Sequence, residues 1–142
     1  MQPMKFCFLL IGSLISITTF SQTRSDLTGN WKVIQVHTTE ELKKELKANI
    51  QKVEKIMLQL RFHFNNDGTC TTDSPAEKGM DFKKCTWTYK EKEKSINIDG
   101  IAPSGDKGLL MKLFVTIKNN KWYFTMDETP VILEVQKITA AN

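Results

Sequence analysis

Cys70, Cys85, His37 and His63 are the side chains beyond the leading apolar run with the reactivity for nucleophilic, acid–base or metal chemistry. Their spacing assembles none of these. Cys70 and Cys85 are too far apart for a Cys-x-x-Cys redox or zinc motif. The two histidines show neither a His-x-x-x-His spacing nor a Ser–His–Asp pattern. His63 sits between Phe62 and Phe64 in an alternating run, which turns it to solvent if the phenylalanines point inward. The acids gather in one helical stretch and in turns, with no isolated apolar setting to perturb a carboxyl group. Gly100 to Gly108 holds glycines but lacks the Lys-Ser/Thr of a phosphate loop. The chain therefore reads as non-enzymatic, with no metal and no cofactor.

The first 21 residues read as a cleaved export signal. Lys5 supplies the positive charge, Phe6 to Ile17 the apolar core, and Thr19-Phe20-Ser21 the small residues at the cleavage box. The cut falls after Ser21. The apolar run is well short of the roughly 20 residues that span a bilayer, so no membrane span is expected. Cys7 precedes most of the apolar core, the wrong side for a lipidation site. Residues 22–142 remain, of a length that suits one domain. The formal net charge of +4 drops by one with Lys5. Basic residues are interleaved with acids, so nucleic acid is not an expected partner. A secreted or periplasmic location follows from the signal. There, the even pair Cys70 and Cys85 reads as a disulfide. Closing a loop of about 15 residues stabilises by roughly 3 kcal/mol in the chain-entropy model. Two free, buried thiols are the other reading.

The elements that must position these groups follow from periodicity. Thr39 caps a helix opened by Glu40 and Glu41, and Leu42, Leu46, Ile50, Val53 and Met57 form its apolar stripe. The stripe predicts one amphipathic helix from about 39 to 56. Strand alternation then takes over. Leu58, Leu60, Phe62 and Phe64 alternate with polar residues, and Asn65-Asn66-Asp67-Gly68 is a tight turn. Further runs lie at Thr69–Thr72, Phe82–Tyr89, Ser95–Asp99, Leu109–Ile117, Trp122–Met126 and Val131–Ile138, with the first at Trp31–Val36. The segment from Asp73 to Gly79 reads as a loop. Eight short strands joined mostly by tight turns predict an all-β, antiparallel barrel or sandwich with one helix between the first two strands.

Leu27-Thr28-Gly29-Asn30-Trp31-Lys32, Phe62-x-Phe64-Asn65-Asn66-Asp67-Gly68-Thr69, Trp87-Thr88-Tyr89 and Leu133-Glu134-Val135-Gln136-Lys137 occur in that order along the chain. In this order and spacing they resemble the lipocalin-like domains of exported Bacteroidetes proteins. The resemblance implies an eight-stranded lipocalin-like β-barrel whose narrow end is plugged by Trp31. It also implies a basic side chain from the last strand over that indole, a part that falls to Lys137. The helix departs from the family pattern, which carries its main helix near the carboxyl end.

An eight-stranded barrel has room for its own side chains or for one small ligand. The inward candidates are Phe62, Phe64, Trp87, Met111, Leu113, Trp122 and Phe124. They line either a pocket for a small hydrophobic molecule or a solid core. Leu110 and Phe114 alternate onto the outer face of their strand, where an apolar pair suggests a protein partner or a docked helix.

Overall fold

The computed structural model describes residues 22–74, 82, 84–101, 104–129 and 131–139. The signal read over residues 1–21 lies outside them. Eight strands run round a closed antiparallel barrel: β1 (Gly29–Thr38), β2 (Arg61–Phe64), β3 (Thr69–Asp73), β4 (Cys85–Lys90), β5 (Ser95–Ile101), β6 (Lys107–Lys118), β7 (Lys121–Met126) and β8 (Val131–Ile138). Each pairs with its neighbours in sequence, and β8 closes on β1. A one-turn helix α1 (Arg24–Leu27) precedes the barrel. The segment after β1 holds α2 (Glu40–Leu46), a 3-10 turn (Lys47–Asn49) and α3 (Ile50–Met57).

Alternation of side chains across each strand builds the core. Phe62 and Phe64 of β2, Trp87 of β4, Ile96 and Ile98 of β5, and Leu133 of β8 are fully buried, and the residues alternating with them are mostly more exposed, Ser95 and Glu134 excepted. The tight turns gather at one end. At residues 65–68 the Asp67 carboxylate accepts from the Thr69 hydroxyl at 2.6 Å and its N–H at 2.9 Å, and Gly68 supplies φ +90°. Those bonds, the hydroxyl's first, hold the Asp67 carboxyl below its ordinary range. Asn119 and Asn120 both take positive φ, 52° and 61°, as a two-residue hairpin between right-twisted strands requires. The longer connections leave from the opposite, open end.

Two features depart from the sequence reading. The helix is broken: Lys47 adopts φ +46° between α2 and α3, and neither helix buries a side chain fully. In β6, the register against β5 slips. Ile98 faces Met111 and Asp99 faces Leu109, so Leu110 is an extra, bulged residue. The bulge turns Leu110 inward, where its Cδ1 lies 2.8 Å from where a Cβ on Gly100 would stand. Leu109 goes to solvent, 54% exposed. Phe114 stays on the outer wall, with the Lys112 ammonium 5.1 Å from its ring centroid. The shared outer patch of Leu110 and Phe114 therefore does not form, because one bulge reverses the faces on either side of it.

One stretch of wall is not sheet. β2 begins at Arg61, opposite Lys32, so Val33 to Thr38 of β1 have no strand partner on that side. The segment from α2 to Leu60 lies there instead. The Val33 N–H donates to the Leu60 carbonyl at 3.2 Å, and the Thr38 hydroxyl donates to Glu54 Oε1 at 3.5 Å.

Candidate functional site

At the closed end the chain builds a capped aromatic stack. Trp31 is 1% exposed and donates its indole N–H to the Leu27 carbonyl at 2.8 Å. α1 exists to present that carbonyl: Thr23 and Asp26 cap its start, and Leu27 is buried beneath the barrel. Lys137 lies across the indole, Nζ 5.5 Å from the ring centroid, and donates to the Asp26 carbonyl at 3.0 Å. A second cation, Arg24, stands 4.6 Å from the Trp87 ring centroid and donates to the Asn66 carbonyl at 3.1 Å. The Trp87 indole donates to the Asn65 carbonyl at 2.8 Å. Arg24 has no periodicity or motif around it, so nothing in the sequence singles it out.

Above these two indoles the candidate pocket residues pack on one another. Trp31 lies 5.1 Å from Trp122 and 5.5 Å from Phe124. Phe62 stacks on Phe64 at 6.0 Å and meets Phe124 edge-on at 5.7 Å, and Phe64 lies 5.0 Å from Trp87. With Leu113, fully buried beside them, these rings interlock at the centre of the closed half, while Trp122 also lines a surface cavity of about 580 Å³ with Gln22, Asp26, Lys94, Ile117, Asn119 and Asn120. Of the seven residues expected to line a pocket, Met111 stands apart, half-buried near the open end.

At that end the described side chains are less fully buried. Val36, Leu42, Met57, Phe82, Leu110, Met111 and Met126 are partly buried and pack against the core from above. Between the overhanging start of β6 and the β7–β8 turn, a cavity of about 330 Å³ opens at the rim, lined by Leu109, Leu110, Met111, Lys112, Met126, Asp127 and Glu128. Sequence alternation could find Met111 and Met126 but not Leu110, which the bulge redirects.

The residues with chemical potential lie on or in the wall. His63 braces three strands from outside, with Nδ1 2.7 Å from Asn30 Oδ1 and Nε2 2.9 Å from Asp73 Oδ2. His37 Nε2 lies 3.7 Å from Glu134, whose carboxylate is also 3.5 Å from Lys121 Nζ. Cys70 and Cys85 are direct cross-strand partners. Both are free, buried thiols here, and the Cys85 thiol donates to the Cys70 carbonyl at 2.8 Å, so the expected disulfide is not formed. Burial pushes both thiols up from their ordinary range. A groove of about 580 Å³ runs over this seam on the outer wall. Among the described residues, no group of three His, Cys, Asp or Glu side chains is placed to hold a metal. No described helix is long and apolar enough to cross a membrane.

No family model matches the chain, and no curated protein matches it. Among solved structures, the barrel is similar to a DUF4847 family protein from Bacteroides vulgatus. The TM-score is 0.45 at 15% identity, covering 79% of this chain and 95% of that one. A likeness at that level carries no weight in assigning function.

Proposed function

We propose that this is an exported, non-enzymatic lipocalin-like protein that holds one small apolar molecule at the open end of its barrel. One contrast carries the reading. The rings at the centre of the closed half interlock, whereas among the described residues the other end keeps half-buried Met and aliphatic side chains beside a helical segment with no fully buried residue. Methionines adapt to irregular apolar ligands because the thioether chain is flexible and polarisable. A rim cavity of about 330 Å³ sits at the small end of ligand-pocket volumes, roughly 300 to 1,000 Å³. α2 and α3 would act as a flap over the bound molecule.

The test uses residues 22–142 and N-phenyl-1-naphthylamine, a neutral apolar dye that brightens on leaving water. The expected result is saturable binding with a Kd on the order of micromolar, lost in Met126→Lys and retained in Ile132→Lys on the outer wall. No saturable binding by the folded protein would discard the reading.

A further inference from the structure

On the outer wall, β6, β7, β8 and β1 present two rows of side chains that cross the strands. Pairing sets Thr116 beside Tyr123 beside Glu134, and Thr125 beside Ile132 beside His37. Glu134 is the odd member. It points outward, as alternation with the buried Leu133 and Val135 requires, yet it is 5% exposed. Its carboxylate lies 3.5 Å from Lys121 Nζ and 3.7 Å from His37 Nε2. The His37 ring leans to 6.3 Å from the Tyr123 ring, at 55° to it. Beside these groups a cavity of about 340 Å³ is lined by His37, Thr116, Lys118, Tyr123, Thr125 and Ile132. All six lie within strands.

The charges here do not balance. Lys118 and Lys121 stand directly opposite each other across the Asn119–Asn120 turn, and like charges at such a pair repel. Glu134 answers Lys121. Lys118 lines the cavity, is exposed, and has no ion-pair partner among the described residues. Glu134 is covered and is not among the lining groups. The rest of the lining is two rings, two threonines and Ile132, which is 38% exposed. An apolar shelf with one unmatched ammonium at its edge is the complement of a planar ring carrying one negative charge. The ring gains contact with Tyr123 that an aliphatic chain would not, and a doubly charged group would leave one charge unmatched.

We propose that this outer groove is a binding site for a small aromatic monocarboxylate. The ring lies against Tyr123 and Ile132. The carboxylate accepts from the Lys118 ammonium and the Thr116 hydroxyl, two residues apart on one face of β6. His37 closes the far side. The groove is separate from the open end of the barrel and does not depend on it.

Titration of nitrogen-15-labelled residues 22–142 with 2-naphthoate at pH 7.5, followed by amide NMR, tests it. Saturable shifts should centre on Lys118, Tyr123 and Ile132, with a Kd on the order of 1 mM or below. 2-Naphthalenemethanol keeps the ring and drops the charge, and should bind at least about fivefold more weakly. Lys118→Gln should weaken naphthoate by about 3- to 10-fold and Tyr123→Leu by about 3-fold or more, while Lys118→Arg should keep the affinity. Met126→Lys, at the open end, should leave it unchanged. Because Lys118 faces Lys121, Lys118→Gln should melt no lower than the parent, which separates lost binding from lost folding. Equal affinity for the acid and the alcohol, full affinity in Lys118→Gln, or shifts centred elsewhere would overturn the site. Tighter binding of 2-naphthyl phosphate would overturn the single charge.

Discussion

At the scale of single residues, the closed end depends on a glycine as much as on an indole. Gly29 sits at φ +132°, and a Cβ there would come 2.7 Å from Lys137 Cε. Gly29→Ala should destabilise by about 1–3 kcal/mol from backbone strain alone, with a further steric part that Lys137→Ala relieves. A double-mutant cycle by urea denaturation measures that part as a coupling energy; strictly additive losses would mean the lysine chain does not lie over Gly29. The thiols make a second prediction. Both pKa values are raised, chiefly by burial, and the thiolate is the reactive form. Neither cysteine should react with iodoacetamide at neutral pH until the protein is unfolded. Directly opposed residues at a hydrogen-bonded antiparallel pair lie with Cα atoms about 5.5 Å apart, inside the range a disulfide tolerates. Oxidation of residues 22–142 by a small disulfide should therefore give one intramolecular bridge, seen by mass as the loss of two hydrogens. It should raise stability by roughly 3 kcal/mol or less. Rapid alkylation of the native protein, or intermolecular dimers as the main oxidation product, would contradict this placement.

At the scale of elements, the bulge in β6 decides which residues are core. Alternation alone assigns Leu109 to the interior and Leu110 to the surface; the slipped register assigns them the other way round. Leu109→Lys should fall within about 0.5 kcal/mol of the parent, as surface changes do. Leu110→Lys should cost about 3 kcal/mol or more by forcing a charge against Gly100 and the core. Thermal melts of the two variants separate the registers, and the reverse order would restore the outer apolar patch and its protein-partner reading. The helical segment shows the same dependence on context. Its apolar stripe is plain in the sequence, yet only Leu42 and Met57 reach the core. The positive φ at Lys47 ends α2, so the stripe does not run as one rod.

At the scale of the whole molecule, the pH range of stability follows from groups spread over the barrel. The Asp67 carboxyl is held below its ordinary 3.8 by the Thr69 hydroxyl and N–H, and the Glu93 carboxyl below 4.5 by Lys112. Depressed carboxyls contribute stability that is present above those ordinary values and is lost as pH falls through the lower folded values. The two thiols, ordinarily 9.0, and the Tyr89 hydroxyl, ordinarily 10.0, are all raised, mainly by burial. Their contribution is complete below pH 9.0 and is lost as pH climbs from there toward the folded values, because the unfolded chain ionises first. Urea unfolding across a pH series should give a plateau through neutral pH, a decline below about 4 and a second decline above about 9. A pH-independent alkaline limb would mean that the thiols are bridged or exposed.

Strand number, antiparallel order and turn positions were legible in the residues. Each depends on local rules: period-two alternation, positive φ at Gly and Asn, and caps at helix starts. Trp31 and Lys137 could be paired only through resemblance to other barrels; their contact joins opposite ends of the domain. What closure alone decided is nonlocal. It slipped one residue of β6 and exchanged Leu109 for Leu110, and it set Arg24 over Trp87. It also packed the aromatic candidates against one another. A sequence states which side chains alternate. Only the closed ring fixes which of them meet across it.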